Sequence, residues 1–192
     1  MSLIRTIEPA EEPVTLTEAK AHLRVEHNDD DTYITSLIVV AREFCEIFQN
    51  KSYITQTWKL TLDYFPSNYI ELPNPPIISV TSFRYKDSNQ NWVPLTENTD
   101  YTVDTISQPG LIRPSYGLTW PTNVLQYSNV IEIVYQAGYG AAADVPTKVK
   151  QAMLLILGHW YANREDTTPG ATISMALAAR DLLIQDRIFH FA

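Results

Sequence analysis

The chain has 192 residues, enough to bury a substantial core in one domain or in one domain carrying an insertion. Apolar residues make up 45% and charged residues only 19%, with 11 tyrosines and 4 tryptophans, so the surface is short of charge and rich in large rings, as suits contact with partners. A net charge of -8 and a pI near 4.9 argue against wrapping nucleic acid by phosphate neutralisation, and the lone Cys45 excludes an intrachain disulfide.

No segment approaches the roughly 18 apolar residues of a membrane span, and the opening MSLIRTIEPAEEP has no signal-type apolar stretch. A soluble protein made in a reducing cytoplasm is the expectation. Residues 1–50 hold ten acidic and four basic side chains, a local balance of -6. Such an acidic face either keeps the protein soluble or, along a DNA passage, repels phosphate.

VTLTEAKAHLRV opens a first helix, with Thr15 as N-cap, Glu18 completing a capping box, and Leu16, Ala19 and Leu23 as its stripe. The acidic run Asn28–Asp31 is expected to cap a longer helix, DTYITSLIVVAREFCEIFQN. There Ile34, Leu37, Ile38, Ala41, Cys45 and Phe48 recur at helical spacing. Val40, Phe44 and Ile47 widen the apolar sector beyond one contact, so the helix is either central in its domain or packed on a neighbouring subunit.

From residue 53 the period is two. TQTWKLTL puts Trp58, Leu60 and Leu62 on one side, and short strands follow at YIEL, IISVTSFRY, NWVPL, DYTVDTI, GLIRP and NVIEIVYQ. The breaks carry turn chemistry: LPNPP, DSNQN, and QPG, where Pro109 and Gly110 suit the centre of a type II turn. With no long helix between them these strands are antiparallel. The helical period returns after QAGYG and DVPTK, with Val149, Ala152, Met153, Ile156 and Trp160 on one face; TTPGA ends that helix and ISMALAARDLLIQDRIF reads as a last amphipathic one. The predicted fold is α+β: a four-helix core from residues 1–52 and 141–192, with an antiparallel strand insertion at 53–140.

None of the chemistry-bearing clusters makes a catalytic site. HWYANRE, residues 159–165, has no nucleophile with an ordered base; Arg164 and Glu165 read as a helix-end pair, or Arg164 as a ligand for a neighbouring chain's carboxylate. His22, Glu26 and His27 lack an HExxH pattern and a third ligand, and aspartates 29–31 lack the glycine and terminal glutamate of a calcium loop. Gly138 and Gly140 lack the lysine of a phosphate loop and suit a turn with positive φ. No carboxylate pair stands out, and basic residues never interleave with aromatics as on a nucleic-acid platform.

Six pieces in order, VTLTEAKAHLRV, DDDTYITSLIVVAREFCE, TQTWKLTLDYFP, LPNPPIISVTSFRYKD, IEIVYQAGYG and VPTKVKQAMLLILGHWYANRE, cover most of residues 13–165. In order and spacing they resemble the bacteriophage head-tail connector family, the neck adaptors of tailed phages. The resemblance implies a helical core whose inserted strands reach neighbours, a ring, commonly twelve-fold, beneath the portal protein, and a docking surface for the next neck or tail protein. DNA then passes through the channel without specific binding, and no enzyme activity, cofactor, metal or membrane is involved. Thr15, Glu18 and Leu23 fall in the family's opening motif, and Trp160, Tyr161, Arg164 and Glu165 in its third-helix motif. The expected subunit interface comprises Val40, Phe44, Ile47, Trp58, Tyr64, Phe65, Arg164 and Glu165. Leu183, Ile188, Phe189 and Phe191 form either a portal-binding tail or packing on their own domain. Three rival readings are another neck completion or tail-terminator protein, a hydrolase with an unmarked carboxylate pair, and a secreted carbohydrate-binding module presenting coplanar rings.

Overall fold

The computed structural model describes residues 1–164 and 177–189. It divides into a strand unit, Met1–Ala10 with Thr55–Tyr139, and a helical unit, Glu11–Ile54 with Gly140–Ala192.

In the strand unit, β1 (Ser2–Ile7), β2 (Gln56–Leu62), β8 (Ile131–Ala137), β4 (Ile77–Lys86) and β5 (Trp92–Pro94) form a five-stranded sheet in that order. A second sheet has the order β3 (Ile70–Leu72), β7 (Gly110–Pro114), β6 (Tyr101–Asp104), and all pairings between these strands are antiparallel. The period-two pattern has its physical counterpart in β8, where Ile131, Ile133, Tyr135 and Ala137 are buried and the residues between them are half-buried. Trp58, Leu60 and Leu62 of β2 face the same core, which gathers Leu72, Phe83, Tyr101, Ile112 and Trp120. Rings lock it: Phe65 stacks on Trp120 with centroids 5.0 Å apart, and Phe83 meets Tyr101 edge-on at 5.0 Å. The buried Tyr135 hydroxyl donates to the Pro73 carbonyl at 2.8 Å, and burial drives its pKa up.

The structure departs from two local expectations. The first ten residues are not part of the helical core, because SLIRTI pairs with β2 and contributes Leu3 to the strand-unit core. Gly110 is not the centre of a type II turn, which needs positive φ there; it opens β7 with no positive φ. A Cβ at Gly110 would sit 2.5 Å from Ile77 Cγ1, so close strand approach is what requires a glycine. The loop before it is organised by Asp104, whose carboxylate accepts the Ile106 N–H at 2.9 Å and the Ser107 hydroxyl at 2.6 Å.

The helical unit contains α1 (Leu16–Leu23), α2 (Asp31–Gln49), α3 (Thr147–Ala162) and α4 (Leu177–Ile184). The capping box of α1 is formed: the Glu18 N–H donates to Thr15 Oγ1 at 3.2 Å, and the Thr15 N–H donates to Glu18 Oε2 at 2.7 Å. Both α1 and α2 end on left-handed residues, Arg24 at φ 58 and Asn50 at φ 56. Ile34, Ile38, Ala41 and Cys45 of α2 and Val149, Ala152, Met153 and Ile156 of α3 are buried, and the two helices contact each other. Burial and the neighbouring Glu46 push the Cys45 thiol up to about 12, which leaves it an inert core residue. Gly138 and Gly140 have φ 136 and 126, the positive values their loop calls for.

Candidate assembly surfaces

One face of α2 closes the helical core and the other is left uncovered. Val40, Phe44 and Ile47 are spaced i, i+4, i+7, which stacks them on one stripe, and they are 49%, 37% and 76% exposed. Trp160 of α3, half-buried, extends the stripe by meeting the Phe44 ring edge-on at 5.6 Å. Three large apolar side chains in a row on one helix form a patch of the kind that marks protein contact.

Beneath the stripe α2 is anchored by a buried polar network that composition and periodicity do not reveal. The Arg42 side chain is buried, with Nε 2.7 Å from Glu12 Oε2 and Nη1 2.9 Å from Glu46 Oε2. The other oxygen of Glu46 accepts the Tyr53 N–H at 2.8 Å. The Tyr53 hydroxyl donates to Gln49 Oε1 at 2.7 Å, and Gln49 Nε2 donates to the Leu183 carbonyl at 2.6 Å. The one available sequence signal is an Arg42/Glu46 pair, four apart, in the mostly apolar run LIVVAREFCEIF.

Tyr161 and Arg164 of HWYANRE are tied to the start of α2. The Tyr161 hydroxyl donates to Asp30 Oδ2 at 2.5 Å, and Arg164 Nη2 reaches the same oxygen at 3.1 Å while its guanidinium lies over the Tyr33 and Tyr161 rings at 4.8 and 5.3 Å. The Tyr161 hydrogen bond, with Arg164 and His27 assisting, holds the Asp30 carboxyl below its ordinary range; the same bond raises the Tyr161 phenol. Asp30 is the N-cap residue of α2 yet makes no side-chain cap bond, because its carboxylate is turned to this cluster instead. Arg164 therefore pairs with a carboxylate distant in sequence, and Glu165 lies outside the described residues. Among the described residues no three His, Cys, Asp or Glu side chains gather as a metal site, and no helix is long and apolar enough to cross a membrane.

The remaining interface candidates are placed unequally. Tyr64 is well exposed, Trp58 is half-buried with the Arg5 guanidinium 5.9 Å from its ring, and Phe65 is half-buried in the aromatic stack of the strand-unit core. Of the proposed tail, Leu183 and Ile188 are buried in the helical unit, the alternative their sequence left open. Ile188 is held on both sides, its N–H donating to the Gln49 carbonyl at 3.0 Å and its carbonyl accepting Asn50 Nδ2 at 2.8 Å. Phe189 is exposed, and Phe191 lies outside the described residues. The aromatic faces of the strand unit do not form the coplanar line of a carbohydrate platform: Trp92 is flanked by Arg84 and Lys86 at 4.5 and 5.1 Å, and the Phe65–Trp120 stack is internal.

The family model described as "Head completion protein" matches residues 12–180. Solved structures give the same fold: a chain from the neck of an empty GTA particle computed with C6 symmetry is 21% identical, with a TM-score of 0.82. Chains from the virion of a native gene transfer agent (GTA) particle and from the neck of a native GTA particle computed with C12 symmetry are each 20% identical, with TM-scores of 0.82 and 0.79. Each of the three alignments covers 100% of this chain and 98% of the other. No curated protein matches the sequence. A match over residues 12–180 of 192 bears out the resemblance to phage head-tail connectors: the chain belongs to the head completion protein family.

Proposed function

We propose that the chain is a structural adaptor of the head–tail neck in a phage-like particle. Its copies close side to side into a twelve-fold ring beneath the portal, extending the DNA channel and receiving the next neck or tail protein. The observation that carries the reading is the exposed stripe Val40, Phe44 and Ile47 on a helix whose opposite face is already filled. Ring closure is heterologous, so this stripe meets a different surface of the next copy, to which the exposed Tyr64 contributes an aromatic anchor. Arg164, already committed to Asp30 but half open to solvent, supplies the polar rim with Glu165. Phe189 and Phe191 form the portal-facing tail. Two structural relatives come from necks computed with C6 and with C12 symmetry, and a ring of twelve is compatible with both. The net charge of -8 leaves DNA free to slide.

The test is native mass of the chain alone and mixed with portal assemblies. A discrete complex containing twelve copies on the portal, lost in Ile47→Asp while the variant stays folded, is the expected result. Portal saturation by the Ile47→Asp, Phe44→Ser double variant at wild-type affinity and stoichiometry would overturn the assignment of the lateral contact.

A further inference from the structure

The strand unit carries a second surface, unrelated to the α2 stripe. Residues 113–120, RPSYGLTW, lie beside residues 67–69, and an open groove between them is lined by Asn68, Tyr69, Arg113, Tyr116, Leu118 and Trp120. Its rim is a fixed turn: the Leu118 N–H donates to the Ser115 carbonyl at 2.9 Å, and Gly117 takes φ 80 at the third position, which favours glycine. That turn leaves Tyr116 fully exposed and Leu118 more than half exposed. Together with the Tyr69 ring they give the groove an apolar wall open to solvent.

The polar groups of the groove share one need. Arg113 is the only charged residue in the lining; its guanidinium lies 5.6 Å from the Tyr69 ring, and it influences Asp104 through space without forming an ion pair among the described residues. Trp120 is only 9% exposed, and its indole N–H is buried with no acceptor among the described residues; the Ser115 hydroxyl is in the same condition. A guanidinium with no ion pair among the described residues calls for an anionic oxygen, and a guanidinium over a ring presents its donor fork to a carboxylate. The ring walls call for apolar area.

We propose that this groove docks a short segment of a different protein, carrying an aspartate or glutamate beside a large apolar residue. The carboxylate pairs with Arg113 and the apolar side chain packs against Tyr69, Tyr116 and Leu118. The assignment rests on local charge complementarity: Arg113 is the one charged residue of the groove lining and forms no ion pair among the described residues.

The test follows the indole N–H resonances of the full ¹⁵N-labelled chain, with the Trp120 signal assigned by its loss in Trp120→Phe. The probes are a capped hexapeptide with a Phe-Asp-Leu centre and its Phe-Asn-Leu counterpart. The Asp peptide is expected to shift the Trp120 signal saturably, binding at least tenfold more tightly than the Asn peptide. Arg113→Ala should remove that preference while the signals of Trp58, Trp92 and Trp160 stay in place, which reports an intact fold. Equal affinity of the two peptides, or an unmoved Trp120 signal, would overturn the proposal. So would a Trp120 signal that moves with protein concentration alone, which would make a second copy the occupant.

Discussion

Replacing Arg42 by methionine keeps most of the side-chain stem and removes only the charge and its donors. Its effect follows from the geometry of the buried network. Glu46 is itself buried, and in the variant its Oε2 loses the guanidinium at 2.9 Å while its other oxygen keeps the Tyr53 N–H at 2.8 Å. Breaking a buried ion pair by removing one partner costs about 3–5 kcal/mol, a large part of the roughly 5–15 kcal/mol that holds a typical domain folded. Glu12 is more open to solvent, so its loss of Arg42 at 2.7 Å adds little. With a urea slope of about 2 kcal/mol/M, a loss of about 4 kcal/mol displaces the unfolding midpoint by about 2 M. Helical circular dichroism across a urea series measures this. Adding Glu46→Gln to Arg42→Met should recover part of the loss, since glutamine removes the buried charge and keeps an acceptor for the Tyr53 N–H. A single Arg42→Met variant that loses less than about 1 kcal/mol, or a double variant worse than the single, would refute the reasoning.

Ile47→Asp, at an exposed position, should leave stability within about 0.5 kcal/mol of the parent while abolishing lateral association, read by thermal melting and native mass in parallel. Gly110→Ala forces a methyl into Ile77 and should destabilise by about 1–3 kcal/mol, with partial recovery in the Ile77→Val background; a neutral Gly110→Ala would contradict the close approach. Asp30→Asn should bring the Tyr161 phenol back down toward its ordinary value, seen by ultraviolet titration of tyrosine ionisation. The folded-state values of Glu18, Asp30 and Asp104 all lie below the ordinary carboxylate range. Their contributions are therefore fully present above about pH 4–5 and fade as pH falls through the lower folded values, so the melting temperature should drop on acidification, less steeply in Asp30→Asn. A melting temperature unchanged between pH 6 and 3 would contradict this.

What could be read from the sequence was what repeats locally. The alternation in NVIEIVYQ is enough to place β8, because a strand with one face in the core must alternate, and the Thr15/Glu18 spacing is enough to place a capping box. The stripe Val40, Phe44 and Ile47 stood out for the same reason, since helical spacing decides which residues share a face. Local pattern fails where distant residues compete for a side chain. Asp30 looks like a cap, but Tyr161 and Arg164 claim its carboxylate, and Pro109–Gly110 looks like a turn centre until Ile77 demands a glycine in a strand. β1 escaped notice because its six residues announce themselves only by pairing with β2, about fifty residues on. The groove beside Trp120 has no signature at all, being assembled from segments 67–69 and 113–120 around one arginine.

The neck-adaptor reading turns on whether particles need this chain to join head to tail through its α2 stripe. DNA-filled heads produced without the chain, mixed with free tails and then with purified protein, give a direct count of joined particles by electron microscopy. The account predicts few joined particles without the protein, full joining with the parent, and little with Ile47→Asp. Heads that take tails equally well without the chain would contradict it.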